Sequence, residues 1–385
     1  MRVMQRKSLL RSIVLVGILL LPTVAPAQEL PERHVPYLQI SLADRLNVFH
    51  KTWETVRKHF FDPKLNGVDW AQMKVKYQPL VEAAVDKIQL RDVLTKMVNE
   101  LHVSHMGVHQ GFSYNYGVSL TEIEGKWLVR ASAQDSAAQR GGMERGWILT
   151  GLEGDCVGPK RKVSVRMVDL QDQARSLELP CASYTFPSES GSVRTLEGGA
   201  VYLSFPKFLA TPGKWLAGQV GRNRSAPAMV LDLRGNSGGA IEVLQKVLNL
   251  FFSEKTVIGT FRNRNGKEIT LKTSGSKSAY RGRLIVLTDR GTQSAAEVFA
   301  RAVQETGRGV VVGQPSSGGV LGATNYKLPG GFGVHLAIMD YHTAKGTRLE
   351  GHGVQPDELA VLTVKDFREN KDAVLDRVRQ LLQRP

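Results

Sequence analysis

The residue best placed to do chemistry is Ser294, in the stretch from Leu284 to Phe299 that reads Leu-Ile-Val-Leu-Thr-Asp-Arg-Gly-Thr-Gln-Ser-Ala-Ala-Glu-Val-Phe. An apolar strand runs into a turn containing Gly291, and a helix of small residues begins directly after the serine. Such a corner holds a hydroxyl where backbone N–H groups and the helix dipole favour a developing negative charge, as a serine nucleophile needs. The same position also suits an ordinary helix N-cap. A second segment, Asp232-Leu-Arg-Gly-Asn-Ser-Gly-Gly, again lies between a strand and a helix. Its small residues let N–H groups approach a ligand oxygen closely, which fits phosphate binding or an oxyanion hole. No Gly-Lys-Ser/Thr follows, and the glycine spacing is not a dinucleotide fingerprint. His102, His105 and His109, beside Glu100, lack the His-Glu-x-x-His spacing and sit where a helix ends, so no metal site is expected.

The elements that must position these residues fall into three textures. Residues 40–101 read as helical: Leu46, Phe49, Trp53, Val56 and Phe60 recur at helical spacing, as do Leu90, Val93, Leu94, Met97 and Leu101. Asp69 is a plausible cap between them. From Tyr114 to about Pro180 short alternating strands follow, with a short helix after Ser136 closed by glycine. From Ala200 onward apolar strands alternate with helices, including one from Ile241 to Phe252. That alternation predicts an α/β core with a largely parallel sheet. Residues 364–383 read as one charged amphipathic helix.

The first 27 residues combine Arg2, Arg6, Lys7 and Arg11 with an apolar run from Ile13 to Leu21 and Ala25-Pro26-Ala27. This is the pattern of a cleaved secretory signal, and Gln28 after the cut gives no lipid-anchor cysteine. An exported protein, periplasmic or extracellular, of about 358 residues is expected. Removing the four leader cations from a net charge of +15 leaves +11. That favours contact with anionic envelope surfaces. Without a basic run of five or more, or a recognition motif, nucleic acid is not an expected partner. Cys156 and Cys181 either pair in an oxidising compartment or remain two buried thiols; alone they cannot complete a zinc site.

The strand order after Tyr116-Gly-Val-Ser-Leu, ending in Arg145-Gly-Trp-Ile, resembles a PDZ domain. The resemblance implies that a loop containing Tyr116, Gly117 and Val118 captures an extended or C-terminal peptide by strand addition. A β-rich insert that packs but binds nothing is the alternative.

Four segments then occur in order: Asp232-Leu-Arg-Gly-Asn-Ser-Gly-Gly, Thr292-Gln-Ser-Ala-Ala-Glu, Val312-Gly-Gln-Pro-Ser and Leu349-Glu-Gly-His-Gly-Val-Gln-Pro-Asp. The series resembles the tail-specific and tricorn-type serine proteases, and with Gly67-Val-Asp-Trp the likeness spans nearly the whole chain after the leader. It implies a ClpP/crotonase-like mixed α/β core at 185–363, a helical region at 28–111, a PDZ-like domain at 112–184 and a C-terminal helix at 364–385. The tail-specific branch places a lysine 25 residues after the nucleophile, where this chain has Gly319. Lys327 and Lys345 read as surface lysines. The tricorn branch uses a Ser-His pair and a later glutamate, which map onto Ser104, His105 and Glu350.

In that scheme His105 takes the Ser294 proton, Ser104 orients the imidazole and Glu350 polarises Ser104. The oxyanion hole falls to the N–H of Ala295 with that of Gly238 or Gly239. Ala295 stands where the tricorn protease has an acid, so no preference for basic side chains carries over. Asp232 with Arg234, and Glu297, are read as structural. The implied activity is a serine peptidase acting on proteins or peptides, near their C-termini in the processing branch, with no metal or other cofactor. A catalytically silent peptide-binding scaffold, or an apolar-ligand carrier as in the retinoid-binding relatives of this core, are the rivals.

Overall fold

The computed structural model describes residues 39–110, 115–154, 156, 161–184, 186 and 191–384. The expected leader lies outside them. Among the described residues no helix is long and apolar enough to cross a membrane.

The chain begins with helices α1 (Leu42–His59), α2 (Trp70–Ala83) and α3 (Lys87–Asn99), followed by strand β1 (Gly107–Gln110). Ser41, Asp69 and Asp86 each accept a hydrogen bond from an N–H of the first turn they precede. These side chains satisfy donors that the helix itself leaves unpaired.

The insert follows as β2 (Val118–Ile123), β3 (Lys126–Ser132), α4 (Ala137–Arg140), β4 (Ile148–Glu153), β5 (Lys162–Val168) and β6 (Ala174–Pro180). Its strands form one antiparallel sheet in sequence order, β2-β3-β4-β5-β6. Asn115 and Ala182 pair at its neck, and Cys156 and Cys181 are joined by a disulfide.

The rest comprises β7 (Ser192–Thr195), β8 (Val201–Ser204), α5 (Ala210–Arg222), β9 (Ala228–Asp232), α6 (Ile241–Leu248), β10 (Val257–Asn263), β11 (Glu268–Lys272), β12 (Arg283–Thr288), α7 (Ala295–Glu305), β13 (Val310–Gly313), β14 (Leu321–Lys327), β15 (Phe332–Thr343), β16 (Glu358–Leu359), α8 (Val364–Arg368) and α9 (Ala373–Leu382). The expected parallel sheet runs β16-β13-β12-β9-β8, with β7 added antiparallel at one edge. Alternate residues of its strands serve two cores. Leu203, Met229, Leu231, Val286 and Val311 pack toward α5, α6 and α7, whereas Val230, Ile285, Leu287 and Val312 pack toward α9. Both faces are covered, which is why these strands are apolar throughout.

A second sheet, in which β15 pairs with β1, β10 and β14, and β11 extends β10, is absent from the sequence reading. It joins the helical region to the α/β core. Phe49, Val56, Leu94 and Met97 pack with Val334 and Leu336 of β15 in one cluster. The helical region therefore shares its core with strands more than two hundred positions later.

Two further expectations change. The helix beginning at Ile241 ends at Leu248 rather than continuing to Phe252. The single C-terminal helix is two helices, α8 and α9. The break falls at Asn370 with φ 55°, and each helix has its own cap, Thr363 and Asp372. A side-chain cap that satisfies orphan N–H groups starts a helix wherever it stands, so two caps divide a continuous amphipathic pattern.

Candidate active site

Ser294 stands at the corner between β12 and α7 with φ 57° and ψ −122°. A positive φ is costly for a residue with a side chain, and a strand-to-helix elbow of this kind exposes the hydroxyl at the sheet's end. Several hydrogen bonds hold the corner. The Ser294 N–H lies 3.0 Å from the Gly319 carbonyl and 2.9 Å from Glu297 Oε2. Glu297 is buried, and its carboxylate also accepts from Ser316 Oγ at 2.6 Å, Gly318 N–H at 2.7 Å and Gly319 N–H at 3.0 Å. Burial pushes its pKa up, and these donors oppose that shift by stabilising the anion. Opposite the corner, a Cβ at Gly238 would lie 2.7 Å from the Ser294 Cβ, so only glycine lets that loop approach.

The second half of the site is held by side chains. The Ser104 N–H donates to Glu350 Oε1 at 2.7 Å, and the Ser104 hydroxyl lies 2.9 Å from Glu350 Oε2 and 2.7 Å from His105 Nδ1. The Val320 N–H, next to Gly319, donates to the same Glu350 Oε2 at 2.7 Å. An ionised carboxylate only accepts, so the Ser104 O–H must point at Glu350. Ser104 Oγ is then left to accept from Nδ1–H, and this assignment of the protons leaves the His105 Nε2 lone pair free. Burial, followed by the neighbouring His335 ring at 5.9 Å, lowers the His105 pKa to about 4. The imidazole is neutral at neutral pH.

Ser104, His105, Gly238, Gly239, Ser294, Ala295 and Glu350 all line one cleft of about 3210 Å³. Tyr116 and Val118 of the insert line it too, as do Ser119 to Glu122 of β2, the edge strand of its sheet. Among the described hydrogen bonds none joins Ser294 to His105, so the two face a shared space without a hydrogen bond between them in this conformation.

The two candidate glycines differ. The Gly238 N–H donates to Asn236 Oδ1 at 2.8 Å, which removes it as an oxyanion donor. Gly239 pairs in parallel fashion with Phe208, whose bonds go to the Gly238 carbonyl and the Ala240 N–H, so the Gly239 N–H points away from that pairing. Neither it nor the Ala295 N–H finds an acceptor among the described residues. The Gly117 N–H is likewise engaged, by Asn115 Oδ1 at 2.9 Å. Gly319, where the related branch has lysine, contributes backbone only. Lys327 and Lys345 are exposed, as expected.

Glu297, expected to be structural, holds the corner together. Its place three residues after Ser294 signals a capping box, which accounts for its bond to the Ser294 N–H. The donors at 316–319 come from a distant loop that no local pattern reveals.

The fold, with its elbow serine and acid–hydroxyl–imidazole chain, is that of a serine-type peptidase class, and comparison with known proteins agrees. Residues 199–360 match the model of Peptidase family S41, and residues 41–99 match that of the Tricorn protease C1 domain. The chain thus carries a Peptidase family S41 domain with a tricorn-type C1 domain ahead of it.

A tricorn protease homolog of Streptomyces coelicolor is 27% identical over 88% of this chain, although the chain spans only 32% of that protein's length. The carboxyl-terminal-processing protease of a Synechocystis species is 23% identical over 86% of this chain and 84% of its own length. The solved photosystem II D1 C-terminal processing protease shares the fold, with a TM-score of 0.61 at 20% identity over 84% of this chain and 94% of that one.

Proposed function

We propose that this chain is an exported serine peptidase that cleaves protein or peptide substrates through an acyl-enzyme on Ser294, with His105 as general base. The observation that carries the reading is the Glu350–Ser104–His105 chain, which fixes an imidazole with a free Nε2 on the cleft that Ser294 lines.

As Ser294 Oγ attacks the scissile carbonyl, its proton passes to His105 Nε2. His105 then protonates the leaving amine, and a water molecule, deprotonated by the same Nε2, hydrolyses the ester. Ser104 positions the ring and carries the influence of Glu350. The carbonyl oxygen is held by the N–H groups of Gly239 and Ala295, both without an acceptor among the described residues. Cleavage requires closure of the gap between His105 and Ser294, which substrate binding or a small motion of the cleft walls supplies.

The PDZ-like insert presents the substrate. Its edge strand β2 lies along the cleft, where an extended chain can add a strand, and cleavage near C-termini fits a loop around Tyr116 and Val118 that takes the chain end. Export is supported by the N-terminal leader pattern and by the Cys156–Cys181 disulfide, a bond that persists outside reducing compartments.

A fluorophosphonate probe tests the reading. Labelling of the wild type that disappears in both Ser294→Ala and His105→Ala supports it. Equal labelling of all three proteins removes the assignment. The silent-scaffold reading draws on the missing Ser294–His105 hydrogen bond, and it would leave the wild type unlabelled while a peptide still binds.

A further inference from the structure

The S41 match ends at residue 360, yet the arginine of the Asp232-Leu-Arg-Gly-Asn loop completes its ion pairing beyond that point. Arg234 Nη1 and Nη2 reach Asp372 Oδ1 and Oδ2 at 2.9 and 2.8 Å, a two-pronged pair, while its Nε and Nη2 reach Asp232. The guanidinium is largely buried between the two carboxylates. Asp232 also accepts the Tyr202 hydroxyl at 2.6 Å, so the arginine has two partners and one of them is shared.

We infer that Asp372 is a positioning residue for the Gly239 side of the oxyanion hole, acting through Arg234 from the start of α9. This rests on the catalytic reading above. The connection is short. From Arg234 the chain passes to Gly235, whose N–H donates to Asp289 Oδ1 at 2.8 Å, and then to Asn236. Asn236 accepts from Gly238 N–H, donates its side-chain amide to the Phe205 carbonyl at 2.6 Å, and takes the Gln293 N–H on its own carbonyl at 2.9 Å. One short loop therefore touches Gly239 on one side and Ser294 on the other. A charge pair at its start sets where the loop stands.

Asp372 is itself held from two directions. It caps α9 by accepting from the Leu375 N–H at 3.1 Å, and Val374, Leu375, Val378 and Leu381 bury α9 against the parallel sheet. Ahead of it, α8 docks on the insert: Phe367 lies 3.4 Å beneath the Arg145 guanidinium, Arg145 reaches Asn370, and Arg368 reaches Asp172. The break at Asn370 thus separates a helix fixed to the insert from one fixed to the core, with Asp372 just past the joint.

Capping and pairing can be separated by substitution. In Asp372→Ser the hydroxyl still caps α9, but Arg234 loses its second carboxylate. The expected result is a kcat lowered about tenfold to a hundredfold at nearly unchanged KM, with thermal unfolding close to wild type. Asp372→Asn, which keeps the cap and one acceptor for Arg234, recovers part of the loss. Amide hydrogen exchange at Gly235, Asn236 and Gly238, whose N–H groups are bonded, should quicken in the serine variant.

A wild-type kcat in Asp372→Ser overturns the inference, as does a loss that merely follows the unfolded fraction. If the wild-type protein itself neither hydrolyses peptide nor takes a fluorophosphonate, the catalytic reading has failed instead. Amide exchange still decides the positioning, because unchanged protection at Gly235, Asn236 and Gly238 shows that Asp372 does not hold the loop.

Discussion

The two halves of the site are built by different means. The nucleophile corner is set by backbone: a strand end, a helix start, a positive φ, and main-chain N–H groups gathered on the buried Glu297. The base is set by side chains, since Glu350 reaches across 246 positions to fix one serine, which in turn fixes one imidazole. A backbone-built site tolerates little movement but needs few particular residues. A side-chain relay can release or retighten, and its function depends on where each proton sits. The two halves meet at neighbouring residues, Gly319 bonded to Glu297 and Val320 bonded to Glu350.

The largest expected effect breaks the relay without changing its shape. In Glu350→Gln an amide can donate to Ser104, which then donates to Nδ1 and leaves the proton on Nε2. That is the wrong tautomer for a base, and kcat/KM should fall by about 10²–10⁴ with the fold kept. The Val320 N–H then faces an amide donor and loses its acceptor, at a cost of about 1–3 kcal/mol. Steady-state kinetics beside a melting curve checks this, and near-normal activity would show that the relay is not needed.

Glu297→Gln should do the reverse and cost stability first. An amide offers one acceptor oxygen where several donors converge, and a buried unmet group costs about 1–3 kcal/mol. Denaturant unfolding should show that loss, with activity falling as the corner loosens. A variant as stable as wild type would mean the corner is held elsewhere.

The pH profile sharpens the contrast. Because burial and His335 depress His105 to about 4, the imidazole remains a base well below its ordinary 6.5. The acid limb of kcat/KM should therefore lie near 4, with activity lost as pH falls through it. Unfolded His105 binds a proton below 6.5 while the folded one stays neutral, so this residue's contribution to stability declines as pH falls from 6.5 toward 4. An acid limb near 6.5 would place another group in control.

The smallest effect on catalysis belongs to the disulfide of the insert, which is bonded to neither half. Replacing Cys156 and Cys181 by serine should lower stability by about 3 kcal/mol or less and leave the chemistry of Ser294 unchanged. A large loss of kcat at temperatures where the variant stays folded would tie the insert directly to the active site.

Legibility followed the same division. Ser294, the glycine-rich loop and the parallel strands are local patterns, and each lies where the sequence places it. Glu350 and Ser104 came only through a family likeness, since a serine and a glutamate in loops carry no local signal. The antiparallel sheet around β15 was missed because its partners, Gly107–Gln110 and Val257–Asn263, are too short or too irregular to announce their pairing. The C-terminal pattern hid its break because amphipathic periodicity persists across Asn370 while the backbone does not.

The sequence by itself determined the elements: where strands meet helices, which serine stands at a corner, which glycines allow close approach, and that position 319 has no lysine to offer. Those features depend on residues a few positions apart, where sterics and hydrogen-bond chemistry are fixed by the order of the chain. Tertiary structure decided the rest: that Glu350 reaches Ser104, that Gly238 is occupied while Gly239 is not, and that Asp372 closes on Arg234. The Glu350 and Asp372 contacts depend on packing that brings distant segments within 3 Å, and no local pattern encodes which distant partner will arrive. The Gly238 bond is to Asn236, two residues away, and depends on the turn the packed loop adopts.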